Sequence, residues 1–447
     1  MAYLERLAER ARSSRPIRIG LVGAGQMGTG FIAQVGRMPG MEIAAVADIE
    51  PDRAVSAYRK AGRIDPLLSD DADRLSEAVE DGRPVVTDDA ELLVRLPVDI
   101  VVEASGVPEV AARIAFNALL AGRDIALLTV ECDVTVGLAL AGLARRMGRV
   151  YTVCRGDEPV EALRLVDYAR TLGFEVVCAG KGKNNPLDPQ ANPDVLAEQA
   201  RARGMNPKML TSFVDGSKTM IEMAALANAT GLEVSRRGMY GPPATVERLS
   251  EVFRPMVDGG VLDRPGVVDY CTGPVAPGVF TVVRCPDPVV AAELDYLSLG
   301  TGPYYALYRP YHLASVEAPL TVAETVLDRT PSLAPTSWTA EVVAVAKRDL
   351  KPGEVIDGIG GHLVRGLIEA AGVAAHEGLV PLGLAAGATL LREVPAGEPL
   401  TRDAVALRDD TVIATLRRLQ DQWTGDEKGG GSPLVPTPAW ALAGTRT

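Results

Sequence analysis

One short stretch constrains this chain more than any other. An apolar run, Ile17–Val22 (IRIGLV), is followed by Gly23, Gly25 and Gly28 in GAGQMG, and then by a helical stretch through Val35. A buried parallel strand that ends in G-x-G-x-x-G and opens a helix has one economical use. The first glycine allows a tight turn. The second lets the backbone approach a pyrophosphate, and the third lets helix and strand pack closely, so the helix N-terminus points at the phosphates. A second strand, Glu42–Asp48 (EIAAVAD), ends in an acidic residue 20 positions past Gly28. Asp48 is placed to accept hydrogen bonds from a ribose diol and to repel a 2′-phosphate, which favours NAD; Arg53 or Arg59 leaves NADP open. Gln26 and Met27, between the glycines, join the cofactor set. A later strand runs into Glu103–Pro108 (EASGVP), which places Ala104, Ser105 and Gly106 beside the cofactor.

The rest of the first 150 residues repeats the alternation. A helix is expected over 2–13, a helical stretch over 51–81, and strands over Val98–Ala104 and Asp124–Val130, each followed by a helix. Strands alternating with helices imply βαβ units and a doubly wound, Rossmann-type parallel sheet. Beyond residue 150 the pattern changes. Strands at Arg149–Cys154, Phe174–Ala179 and Phe280–Cys285 are separated by long irregular stretches, so 151–330 reads as a mixed α+β substrate and oligomerisation domain. After the Pro/Ser-rich Thr330–Ser337, residues 338–410 read as a small all-β domain. Two similar turn phrases, Leu350–Ile356 (LKPGEVI) and Val394–Leu400 (VPAGEPL), recur in it. A last helix is expected over 410–423, and the tail from Gly425 within the 411–447 segment is linker-like and expected to be disordered.

Composition excludes several classes. With 58 acidic and 46 basic side chains the net charge is −12, unsuited to a nucleic-acid backbone. The five cysteines are widely spaced without a CxxC, as in a reducing cytosol, and three histidines nearly exclude a multi-histidine metal site. No apolar run approaches a membrane span, and Met1–Arg15 lacks the apolar core of a signal peptide, so a cytoplasmic protein is expected.

Ligands of open α/β sheets lie outside the C-terminal strand ends. Polar groups gather there in five clusters: Glu131-Cys132-Asp133; Gly156-Asp157-Glu158-Pro159; Lys181-Gly182-Lys183-Asn184-Asn185; Asp215-Gly216-Ser217-Lys218 with Glu222; and Arg309-Pro310-Tyr311-His312. The two lysines and two amides of the third suit a clamp for an anion or carbonyl. Lys218 and Glu222, four residues apart, share one helix face at the start of an otherwise apolar helix. Substrate contacts are expected from Glu131, Asp157, Glu158, Lys181, Asn184, Asn185, Arg309 and His312, and catalysis from Lys218, Asp215, Lys183 and Glu222. The alternatives are a solvated basic loop for 181–185, a helix start with Pro159 at its first position, and plain helix capping by Asp215 or Ser217.

Taken in order, GAGQMG, TVECDVTVG, GDEP, AGKGKNNP, DGSKTMIEMAALANATG, GVVDY and RPYHL resemble a bacterial family related to homoserine dehydrogenase. Its members carry a C-terminal SAF domain. The resemblance covers residue 1 to about 410. It includes 1-deoxy-D-xylulose 5-phosphate reductoisomerase-like enzymes and oxidoisomerases of D-apionate. The strand over 124–130 ends in Glu131-Cys132-Asp133 where homoserine dehydrogenases carry Asn-Lys, which points away from homoserine itself. The resemblance implies hydride transfer coupled to isomerisation of a small polar anion, a sugar phosphate or branched sugar acid; a plain hydroxy-acid dehydrogenase and a non-enzymatic cofactor-binding protein are the alternatives. Such chemistry needs an oxyanion held between positive groups and an acid/base. Lys181, Lys183 and Lys218 would supply the charge, with Lys218 as acid/base or oxyanion partner. If a divalent ion takes part, Mg or Mn would sit on Asp157, Glu158 and Glu222. A homo-oligomer is expected by fold analogy.

Overall fold

The computed structural model describes residues 3–63 and 65–426, so the tail expected to be disordered lies, from 427 on, outside the described residues. The chain forms two compact units. The first comprises residues 3–157, 313–334 and 415–426. Seven parallel strands build its sheet, in the order β3-β4-β2-β1-β5-β6-β7. They are β1 (Ile17–Val22), β2 (Met41–Ala47), β3 (Leu67–Leu68), β4 (Val85–Thr87), β5 (Ile100–Glu103), β6 (Asp124–Leu127) and β7 (Tyr151–Val153). Its helices are α1 (Tyr3–Arg12), α2 (Gln26–Val35), α3 (Pro51–Lys60), α4 (Ala72–Glu80), α5 (Ala90–Leu93), α6 (Pro108–Leu120) and α7 (Val130–Arg146). The inner strands are buried on both faces, which is why IRIGLV and IVVE read as unbroken apolar runs.

Three expectations are corrected here. The helical stretch over 51–81 is broken, because Leu67–Leu68 pairs with β4 at the sheet edge and Asp71 caps a separate α4. The strand expected over 124–130 stops at Leu127, and Val130 already opens α7, so Glu131, Cys132 and Asp133 form a first helical turn. Residues 313–334, assigned by sequence to the second domain, belong to the first unit, where α14 (Ala314–Ala323) packs on α2.

The second unit comprises residues 158–312 and 335–414. Its five-stranded mixed sheet has the order β12-β11-β8-β10-β9, from β8 (Glu175–Gly182), β9 (Glu233–Val234), β10 (Val267–Cys271), β11 (Val279–Arg284) and β12 (Tyr304–Arg309). The helices are α8 (Glu158–Thr171), α9 (Ala197–Ala202), α10 (Pro207–Val214), α11 (Ser217–Thr230), α12 (Leu249–Val252) and α13 (Pro288–Tyr296). The C-terminal β region pairs β13 (Ala340–Ala346) with β14 (Val364–Ala370) and β15 (Thr389–Leu390) with β16 (Val405–Ala406), all antiparallel. It also holds two short helices, α15 (Ala371–His376) and α16 (Leu382–Ala385), so it is not purely β. The two turn phrases meet each other: Leu350 and Val394 exchange both backbone hydrogen bonds. The last helix, α17, spans Val412–Asp426.

The β region is not an appended module. It packs on α11, a helix buried on nearly every side. At one end the Ser217 hydroxyl accepts from Gly366 N at 2.7 Å. At the other, the Asn228 amide oxygen accepts from Thr339 N and Ala340 N, both at 2.9 Å, while its Nδ2 donates to Ala340 O at 3.1 Å. The stretch read as a Pro/Ser linker is likewise pinned, through Thr336 and Ser337 N–H groups to Asn228 O.

Candidate functional site

The first unit carries a nucleotide cradle. Gly23 has φ +96°, and a Cβ there would lie 2.7 Å from Ala104 O. A Cβ on Gly28 would lie 2.0 Å from Gly23 O, so helix and turn can meet only at glycine. Gly25, by contrast, has no heavy atom within 4 Å of where a Cβ would be. It caps α2 without any side-chain acceptor, so the helix N-terminus is open to an anion. Gln26 and Met27 form the first turn. Asp48 follows β2 directly; its carboxylate accepts from Ala24 N at 2.7 Å and Glu50 N at 2.9 Å, which ties it to the glycine turn. A carboxylate retains further lone pairs for a diol. Arg53 and Arg59 are each engaged by a carboxylate, Glu50 at 2.6 Å and Asp65 at 2.9 Å.

Ala104, Ser105 and Gly106 follow β5 as expected. Their backbone is held from below by a residue the sequence reading passed over. Glu103 is fully buried; its Oε1 accepts from Ser105 N at 2.7 Å, and Gly106 N donates to Thr129 Oγ1 at 3.0 Å. Burial pushes the Glu103 carboxyl up to about 7. Asp133 is also buried, accepts from the Tyr151 hydroxyl at 2.9 Å, and is pushed up by burial to about 7. Glu131, on the same helical turn, is half-buried in this unit.

The second unit gathers most of the remaining candidates. Lys181 does not lie on a loop. β8 runs to Gly182, so Lys181 is a buried strand residue whose ammonium bonds Glu158 Oε1 at 2.6 Å and also bonds Glu222. Glu158 opens α8, with Pro159 at the second helical position rather than the first, and Glu222 projects from α11. Burial and the neighbouring Glu158 push the Glu222 carboxyl up, and Lys218, one turn before it, acts in the opposite sense. His312 Nε2 stands 3.2 Å from Glu158 Oε1. Arg309 forms an ion pair with buried Glu161, which the sequence reading missed because it hides one turn into α8, and its guanidinium lies 4.6 Å over the Tyr311 ring. The result is a continuous set of titratable groups, His312–Glu158–Lys181–Glu222, with two carboxylates sharing one ammonium.

Lys183 follows the strand. It is buried, and its ammonium donates to Asn185 O at 2.7 Å and Phe213 O at 2.8 Å. Burial, with the Lys181 charge beside it, lowers Lys183 to about 8. Asn184 is exposed and Asn185 half-buried on the same turn.

Asp215 is fully buried and forms an ion pair at 2.8 Å with Lys347 of the C-terminal region, whose ammonium also donates to Ala191 O and Gly361 O at 2.7 Å each. Of the carboxylates expected to hold a divalent ion, Glu158 and Glu222 come together and both bond the Lys181 ammonium, and Asp157 is buried directly before Glu158 in the chain.

The architecture is thus a parallel dinucleotide-type sheet in the first unit and a mixed sheet with buried titratable groups in the second. Residues 156–318 match the family model described as oxidoreductase DRL, catalytic domain, and residues 341–406 match the SAF domain. The chain thus carries an oxidoreductase catalytic domain followed by a SAF domain. No curated protein matches the sequence. Among solved structures it is similar to myo-inositol dehydrogenase from Lactobacillus casei in complex with NAD(H) and myo-inositol, with 16% identity over 72% of this chain and 89% of that one and a TM-score of 0.41. It is also similar to apo scyllo-inositol dehydrogenase from the same organism, with 13% identity over 71% of this chain and 89% of that one and a TM-score of 0.40. Among the described residues no helix is long and apolar enough to cross a membrane.

Proposed function

We propose that the protein is an NAD-dependent oxidoreductase that couples hydride transfer to isomerisation of a small polar anion, a sugar phosphate or branched sugar acid. The observation that carries this reading is the buried Glu158–Lys181–Glu222 cluster in the oxidoreductase catalytic domain. Asp48 favours NAD over NADP, and the engagement of Arg53 and Arg59 by carboxylates adds to that preference. A nicotinamide dinucleotide, when bound, supplies the hydride acceptor or donor. The chain's own groups do the rest. Lys218 and Lys181 hold negative charge as it develops on a substrate oxygen. Lys183, with two N–H groups spent on carbonyls and its ammonium lowered to about 8, exchanges the hydroxyl proton near neutral pH. Glu222, raised by burial, and Glu158 with His312 pass protons between hydroxyl and carbonyl during rearrangement. Asn184, Asn185 and Arg309 orient the substrate, with Glu131 and Asp157 as further candidate contacts.

A second reading, simple oxidation of a hydroxy acid, draws support from Lys181. An isomerisation that needs a divalent ion chelated by two substrate oxygens would have to displace that ammonium from Glu158 and Glu222. Five buried free cysteines suit a reducing, cytoplasmic setting.

The test is carbon NMR of products from apionate, other sugar acids, deoxyxylulose phosphate and homoserine, with NAD or NADPH. A rearranged skeleton supports the coupled reaction. An intact oxidised or reduced skeleton makes it a simple dehydrogenase. Lys218→Ala is expected to lower turnover by about 10²–10³-fold, on the order of an oxyanion donor, while NADH binding followed by fluorescence persists.

A further inference from the structure

Between β8 and α9 the chain runs from Lys183 to Leu196 without a helix or a strand. A stretch of that length costs backbone entropy to hold in one conformation, and it keeps that conformation only where other groups tie it down. It carries Asn184 and Asn185, the amides proposed to orient substrate. Its inner half is tied to Phe213, Val214 and Asp215, where α10 ends. Phe213 O accepts from the Lys183 ammonium at 2.8 Å, and Val214 O accepts from Asp188 N at 2.9 Å. Asp215 pairs at 2.8 Å with Lys347, whose ammonium also donates to Ala191 O at 2.7 Å. Leu187 lies on Gly216, just before α11, where a Cβ would come within 2.8 Å of its Cδ1.

The outer half is taken by the C-terminal β region. His362 stands between two aspartates: its Nε2 is 3.1 Å from Asp194 Oδ2 in the loop, and its Nδ1 is 3.2 Å from Asp357 Oδ2. Asp357 fixes the backbone under the imidazole by accepting from His362 N at 2.6 Å and Leu363 N at 3.2 Å. Its carbonyl accepts from Lys208 Nζ of α10 at 3.1 Å. Lys347 N donates to Leu363 O at 2.8 Å, so the ammonium and the imidazole that grip the loop issue from one end of the β13–β14 pair. Both residues lie within the segment that matches the SAF domain.

We infer that Lys347 and His362 of the SAF domain are positioning residues for the substrate loop: they fix it at Ala191 and Asp194, so that Asn184 and Asn185 keep their place beside Lys183 and the start of α11. This rests on the proposed function, which puts substrate at those amides. The SAF domain then acts on substrate affinity without touching substrate. An isolated exposed ion pair contributes little. The His362–Asp194 contact differs in closing a loop already held at Lys183, Asp188 and Ala191, where most of the ordering cost is met by the other ties.

The experiment is amide hydrogen exchange of the full-length protein, read peptide by peptide, on the unaltered chain and on Asp194→Ala, Asp194→Asn and His362→Ala. The Asp194 side chain is 86% exposed, so its loss leaves the core intact, whereas Lys347 is bound into the core through Asp215. Peptides covering 184–196 are expected to exchange about fivefold faster in both alanine variants and no faster still in the double variant. Asp194→Asn, which keeps an acceptor for the ring, is expected to restore most of the protection. Peptides from β8 and β13 are expected to hold their rates. For the compound of the apionate, sugar-acid, deoxyxylulose phosphate and homoserine panel that is turned over, both alanine variants are expected to raise KM about threefold and to change kcat less. Unchanged loop exchange in both alanine variants overturns the inference, as does faster exchange spread equally over β8 and β13. Faster loop exchange with KM unmoved overturns the part in substrate binding. Should His362→Ala fail to fold, Asp194→Ala decides. If the unaltered protein turns over no compound of the panel, the oxidoreductase reading falls and the exchange rates alone decide whether the SAF domain holds the loop.

Discussion

At the scale of single residues, the buried acids carry the sharpest consequences. Glu103 is raised from an ordinary value near 4.5 to about 7. Its charged form is therefore disfavoured in the folded chain, which holds its proton over a range where the unfolded chain has lost it. Stability falls as pH rises between about 4.5 and 7, and the full penalty is present above 7. Glu103→Gln keeps the acceptor for Ser105 N. It is expected to stabilise the protein by up to about 3 kcal/mol at pH 8 and by almost nothing at pH 4, read as the difference in melting temperature. Lys183 has the opposite sign in activity. Lowered to about 8, it accepts a proton only above that pH, so kcat/KM for oxidation is expected to rise through pH 8 and level off. Lys183→Arg should erase that limb; an unchanged profile would remove Lys183 from proton transfer. The sequence showed Lys181, Lys183, Lys218 and Glu222 because they crowd into short polar phrases. It hid Glu161, because that residue stands alone in an ordinary helical stretch and gains meaning only from Arg309, far along the chain.

At the scale of elements, α11 is the member on which the catalytic domain turns. It carries Lys218 and Glu222, and its first turn is held by Ser217 and Asp215 against β14 and Lys347. Removing one partner of a buried ion pair leaves an uncompensated charge, which costs about 3–5 kcal/mol. Lys347→Ala is expected to lose that much, and Asp215→Asn combined with Lys347→Met to regain a good part of it, measured by chemical denaturation. Most elements were legible: the alternation of apolar runs and helical stretches gave the parallel sheet, and the glycine phrase gave its ligand end. Boundaries were less so. The strand over 174–179 was cut short of Lys181 because charged residues in a strand read as a loop until a buried partner is known. The break within 51–81 escaped because a two-residue edge strand has no periodicity to detect.

At the scale of the whole chain, α13 stands out. None of its residues is buried, yet it reads PVVAAELDY and continues into Leu297 and Leu299; Val289 is 72% exposed and Tyr296 82%. It adjoins β12, an edge strand whose outer hydrogen-bonding groups have no neighbouring strand in the sheet. Apolar surface beside an open edge favours self-association. A homo-oligomer is expected in light scattering, and Val289→Asp with Leu297→Asp should shift it toward the monomer; a monomeric mass for the unaltered protein would refute the expectation.

The stitching of α11 to the SAF strands also orders events in time. Ser217 and Gly366 are 149 residues apart. On the ribosome, the helix that bears Lys218 and Glu222 is therefore synthesised long before the strands that cover it. Until residues 340–370 emerge, one side of a helix that is almost wholly buried in the folded chain stays bare, and chains arrested in that interval are the ones exposed to aggregation and to chaperone capture. Activity in a growing population of nascent chains should begin only once the SAF strands have been translated.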